Sequence, residues 1–122
     1  MGTWGTGITD NDTASEVYAD YVSLLEIHSA TQTMEKLVAF YRSKVESHEE
    51  QYHFWLAVAK AQLDTQTLQP DMFEKVKAII VNEDDLRLWK ELKASEADIQ
   101  ARQEVLNRFL NALTAASQSA TE

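Results

Sequence analysis

Cysteine is absent from this 122-residue sequence. Its fold therefore uses no disulfide, no thiolate zinc site and no cysteine nucleophile, and a cytoplasmic setting is expected. Glycine is nearly as scarce: all three lie within the first seven residues, and Pro70 is the only proline. Beyond the lead, the chain thus contains almost nothing that interrupts a helix. The longest apolar run, Phe54 to Ala59, is six residues, against the roughly 20 that a membrane-spanning helix needs. The first residues carry neither a basic stretch nor an apolar core, so no secretory signal is expected.

Positive charge is the other shortage. Eleven basic residues face 20 acidic ones, a formal charge of −9, which repels DNA, RNA and anionic lipid and attracts basic protein surfaces. The acidity is densest at the front, where Met1 to Phe40 hold six acids and one lysine, a sum of −5.

What is present suits one helical domain. Hydrophobic residues make up 44% of the chain, with three Trp, four Tyr and four Phe, enough to build a single modest core. We expect an all-α fold: a compact bundle of about six helices behind a glycine-containing lead, with 1–113 as the helical domain and 114–122 as a flexible tail.

The first helix is expected from Asp12 to His28, capped by Asn11, Asp12 or Thr13, with Val17, Tyr21, Leu24 and Leu25 on one face. Thr33 to Ser47 reads as a second amphipathic helix. His48 to Thr65 is apolar around most of its circumference and is the candidate central helix. Pro70 opens a fourth helix that ends near Asn82. Glu83, Asp84 and Asp85 are placed to cap a short fifth bearing Leu86, Trp89 and Leu92. Ser95 caps a sixth whose stripe runs through Ile99, Arg102, Leu106, Leu110 and Leu113, flanked by Val105 and Phe109. Arg102, Glu104 and Arg108 also supply its solvated side.

Motifs for chemistry are weak. His48 and His53 stand five apart rather than the four of the zinc-protease pattern, so on a helix they diverge by about 140°. Glu50 and His53 match one Glu-x-x-His unit of a di-iron bundle, but no second copy exists. Glu46, Glu49 and Glu50 are therefore read as facing water. Asp10, Asn11 and Asp12 lack the glycine and terminal glutamate of a calcium loop and are read as capping residues. Gly2 and Thr6 fit a myristoylation pattern without the basic patch that stable anchoring requires. No Gly-x-Ser-x-Gly or other nucleophile motif occurs. No catalytic, cofactor-binding or metal-binding residue is therefore singled out.

The lead Met1-Gly2-Thr3-Trp4-Gly5-Thr6-Gly7, followed by Asn11 and Asp12, resembles the start of an uncharacterised family of small bacterial proteins, a domain of unknown function with a Trp-Gly signature. Trp55 within Phe54-Trp55, Gln62, Leu68, Pro70, Asp85, Leu86 and Trp89 extend the resemblance. Leu63 and the tail Thr114 to Glu122 depart from it, standing where members carry a Trp and a basic proline-rich tail. The resemblance implies a bacterial, cytosolic, helical protein and no defined chemistry. Within the signature, Trp4 is expected in the core, with Gly5 and Gly7 letting the chain pass closely over it.

Charge, size and missing motifs together point to an acidic protein-binding domain that neutralises a basic partner protein, in the manner of an immunity protein or antitoxin. The expected contact residues are Glu16, Tyr18, Asp20 and Glu26, followed by Glu83, Asp84 and Asp85. Two rivals remain: a nucleic-acid mimic, disfavoured by the interspersed lysines, and an enzyme with inward-facing carboxylates.

Overall fold

A computed structural model describes residues 5–120, which form seven helices: α1 (Asp12–Leu25), α2 (Ala30–Phe40), α3 (Arg42–Val45), α4 (Gln51–Asp64), α5 (Pro70–Val81), α6 (Asp84–Glu91) and α7 (Glu96–Ala120). No strand occurs among the described residues, and the expected all-α class holds. Trp4 lies outside them, as do Gly2 and the last two residues of the tail.

α4 is the central helix. Phe54, Leu56, Ala57, Val58, Ala59 and Ala61 are buried without remainder, because α1, α3 and α5 all pack on it. Its two flanks differ. On one side α1 lies along α4 and carries α2 as its outer neighbour; on the other, α5 joins α6 and α7. α1 and α4 run parallel: Thr13 near the start of α1 reaches Glu50 at the head of α4, while Tyr18 reaches Asp64 at its foot. Tyr21, fully buried, continues the series to Thr67 beyond that foot. α2 turns back along α1, which brings Tyr41 beside Asp20.

Local chemistry explains most boundaries. Asn11 is the cap of α1: its backbone is extended and its Oδ1 accepts the Ala14 amide at 2.7 Å. Thr13 is diverted from capping because its hydroxyl donates to Glu50 at 2.6 Å. α2 begins at Ala30 rather than Thr33, since Ser29 and Gln32 form a complete capping box. Pro70 occupies the first position of α5. Ser95 accepts the Asp98 amide at 3.1 Å and opens α7.

Three departures from the sequence reading concern the number of helices, the tail and the start of α6. The second helix is split, so seven helices replace about six. At Tyr41 the backbone leaves the helical region, at φ −101° and ψ 25°. The buried ring sits 6.0 Å from Phe54 and its hydroxyl donates to Asp20, so the chain bends to seat this side chain. The tail expected from Thr114 is helical through Ala120. Leu113 is buried, the Thr114 hydroxyl bonds back to Leu110, and Ala, Ser and Gln that follow offer no helix breaker. Finally, neither Glu83, Asp84 nor Asp85 caps α6 through its side chain; Glu83 instead adopts a left-handed conformation between α5 and α6.

That left-handed turn recurs. Gln66 after α4 and Lys93 after α6 have φ of 60° and 62°. In each the following amide reaches back to close the helix, Thr67 to Gln62 and Ala94 to Trp89. This is the termination that glycine usually supplies, carried out here by side-chain-bearing residues because no glycine lies beyond the lead.

Candidate functional site

Two places in the fold gather polar or exposed groups beyond what packing requires. The first is a groove between α1 and α2. It encloses about 330 Å³ and is lined by Asp20, Ser23, Leu24, Lys36, Leu37 and Phe40. Its walls are mainly apolar, yet Phe40 is 78% exposed at its edge. This phenyl ring is held edge-on against Tyr41, with ring centres 5.0 Å apart. Thr33 and Leu37 are the buried residues of α2, whereas Phe40, the last residue of that helix, stays exposed although it stands close to their line.

Acid surrounds one end of the groove. Asp20 accepts the Tyr41 hydroxyl, and Glu16 lies one turn before it on α1, close enough to act on the same phenol. Burial first, then the Asp20 bond and the two negative charges, push the Tyr41 hydroxyl well above the usual phenol range. It therefore stays neutral and acts as a fixed donor, orienting the Asp20 carboxylate beside the apolar wall.

The second place is a polar network under the lead. Arg102 is 0% exposed and so is Asp85. The guanidinium binds the carboxylate through Nε at 2.9 Å and Nη2 at 3.2 Å. Its remaining nitrogen, Nη1, donates to the carbonyls of Thr6 and Gly7 at 3.1 and 2.9 Å. Trp89 lies against it, with the guanidinium carbon 5.2 Å from the ring centre. Within the lead, Asp10 accepts the Gly7 amide at 3.0 Å. A Cβ on Gly5 or Gly7 would lie 2.5 or 2.8 Å from an Asp10 carboxylate oxygen. Gly5 and Gly7 thus let the chain pass close to the Asp10 carboxylate.

Next to this network sits a small cleft of about 150 Å³ lined by Asn11, Asp12, Thr13, Lys44, Glu50 and His53. The Asn11 side-chain oxygen is occupied by the Ala14 amide. Its NH2 group therefore donates to His53 Nδ1 at 3.2 Å, which fixes the imidazole with its proton on Nε2. Burial pushes the His53 pKa below its ordinary range and Arg102 pushes the same way, opposed by Asp85 and Glu50. Among the described residues, no three His, Asp or Glu side chains are placed to share a metal ion. His48 is remote from His53 in role, lying exposed with its Nε2 2.8 Å from Glu91.

The expected contact residues scatter. Asp20 lines the groove and Glu16 stands beside it, while Glu26 is exposed where α1 ends. Tyr18 faces another way: its hydroxyl donates to Asp64 at 2.7 Å, a carboxylate also held by Lys60. Glu83 is exposed, and Asp84 stands 3.7 Å from Arg87. Asp85 is no surface acid at all, and Arg102 is not on the solvated side of α7. Each is buried because the other neutralises it, a pairing that single-residue polarity cannot reveal. Glu50, read as facing water, is half-buried under the Thr13 hydroxyl. Trp89 is buried against Arg102. Trp55 is half-buried with the Lys75 ammonium 4.3 Å from its ring centre.

Phe40 and His53 were missed by sequence reasoning. Phe40 carries no signal of its own in the sequence, since its place on the helix lies close to that of buried Thr33. His53 was weighed only as a metal ligand. Compared with protein-family models, curated proteins and solved structures, the chain matches none. No helix among the described residues is long and apolar enough to cross a membrane.

Proposed function

We propose that this protein is an acidic binding domain that docks a basic partner protein through the face formed by α1 and α2. One observation carries the reading: Phe40 projects into solvent beside an apolar groove whose rim bears Asp20. Interfaces concentrate their energy in large anchors of this kind, ringed by polar groups that exclude water. The surrounding charge favours the encounter, because the first forty residues sum to −5 and steer basic surfaces toward this end of the molecule. Neutralisation of a toxic or nucleic-acid-directed basic protein, in the manner of an immunity protein or antitoxin, is the biological form this binding takes in our reading. A cytoplasmic setting fits the cysteine-free chain.

The test is affinity capture from the native host at low and high salt, with wild type run beside Phe40→Asp and Glu16→Lys. A basic protein held by wild type, released by salt and lost from both variants supports the reading. A partner held equally by all three overturns it.

A further inference from the structure

The shape and chemistry of the groove specify what kind of basic segment fills it. We propose that the occupant is an amphipathic, basic α-helix of the partner, seated by two apolar side chains one turn apart; this rests on the binding reading above. Three features carry the inference.

The first is backbone chemistry. α1 and α2 are helices whose interior amides and carbonyls bond along the helix, and the described residues contain no strand edge. An extended peptide laid over Leu24, Leu37 and Phe40 would find no backbone edge to pair with, and Asp20, Ser23 and Lys36 at the groove could meet only part of its amides and carbonyls, which is unfavourable. The one nearby phenol is committed to Asp20, so it is not free to bond an extended or polyproline backbone. A helix arrives with its backbone already bonded and presents only side chains.

The second is length. On each wall the lining residues span one turn, Asp20 to Leu24 on α1 and Lys36 to Phe40 on α2, or about 6 Å along the axis. That span accepts an i, i+4 apolar pair and little more. The third is charge polarity across the groove. Glu16 and Asp20 stand on the α1 side, one turn apart, whereas Lys36 stands on the α2 side. The bound helix therefore carries its lysines or arginines along the flank facing α1, and neutral or acidic residues toward Lys36. The same asymmetry disfavours a second copy, whose own net charge of −9 would be brought against this one.

Fluorescence anisotropy with synthetic probes tests this. The main probe is a labelled lysine–leucine peptide of about 15–20 residues, patterned as an amphipathic helix. Its controls are the same composition scrambled to remove the apolar face, and an oligolysine of equal charge. We expect the patterned peptide to bind about tenfold or more tightly than either control. Phe40→Asp should cost about tenfold, and Lys36→Glu should strengthen binding about two- to fivefold. All three side chains changed in these tests, Phe40, Glu16 and Lys36, are exposed, and circular dichroism checks that each variant keeps its helices. Equal binding of patterned and scrambled peptides, indifferent to Phe40→Asp, overturns the helical occupant while leaving a charge-driven binding domain standing. Absence of binding by every basic probe at low salt overturns both. A concentration-dependent dimer abolished by Phe40→Asp assigns the groove to a second copy and overturns the partner helix.

Discussion

Arg102 holds Asp85 through two parallel hydrogen bonds with neither side chain reaching solvent, and the nitrogen left over fastens the carbonyls of Thr6 and Gly7. One guanidinium thus joins α6, α7 and the lead. A buried pair of this kind is expensive to break and inexpensive to replace whole, because the cost lies in an uncompensated charge.

Removing one partner is therefore expected to be severe. Asp85→Ala and Arg102→Ala should each destabilise by about 3–5 kcal/mol, measured by urea unfolding. The double variant Asp85→Leu with Arg102→Met should recover most of that loss. Even so, hydrogen exchange at residues 5–10 should accelerate in the double variant, since the Thr6 and Gly7 carbonyls have lost their donor. A double variant as unstable as the singles would refute this account.

His53 gives a pH dependence. Its folded pKa is depressed below the ordinary 6.5, so the unfolded chain binds the proton more readily. The stabilisation is complete above about pH 6.5 and is lost as pH falls below it toward the folded value, at up to about 1.4 kcal/mol per pH unit. The geometry states the reason. A proton on Nδ1 would face the Asn11 amide, which cannot present its oxygen without releasing Ala14. Unfolding free energies at pH 7.5 and pH 5 should differ in wild type and differ less in His53→Gln. An unchanged difference would remove His53 from the explanation.

Asn11 carries two duties, and they separate by substitution. Asn11→Ala should cost about 1–2 kcal/mol for the lost cap and also leave His53 Nδ1 without its donor. Asn11→Asp keeps an acceptor for Ala14 but replaces the donor with a second acceptor. It should sit between Asn11→Ala and wild type at pH 7.5, where a neutral His53 must move its proton from Nε2 to Nδ1 to donate to it, and approach wild type at pH 5, where a protonated His53 donates without that exchange. Thermal melts at the two pH values check the order.

Gln66 and Lys93 offer stabilisation without touching the core. Both occupy left-handed positions that disfavour a side chain by about 1 kcal/mol. Both are exposed, so Gln66→Gly and Lys93→Gly should each raise the unfolding free energy by a few tenths to about 1 kcal/mol. A loss on both would show that the side chains, not the backbone, hold these turns.

How far such features could be read ahead varies with their origin. Local signals carry well: a cap within Asn11 to Thr13, which the structure gives to Asn11, Pro70 at the start of α5, Ser95 at the start of α7 and the nearly all-apolar α4 each depend on neighbours within one or two turns. Asp85 reads as a surface acid, and Arg102 as belonging both to the stripe and to the solvated side, because their burial depends on a partner 17 residues away, to which a periodicity argument is blind. The break at Tyr41 is hidden for the same reason: a helix read unbroken from Thr33 to Ser47 says nothing of the distant ring and carboxylate around which the chain bends. At the groove, charge density pointed to α1 and Asp20, while Phe40 required knowing which face of α2 lay uncovered.

The fastening of the lead also orders events in time. Gly7 and Arg102 are 95 positions apart, so a chain growing from its amino end makes the glycines long before their anchor exists. α1 and α4 can associate during that interval, as both lie upstream of α7. The lead must wait, and its closure over the guanidinium marks completion of the molecule rather than its nucleation.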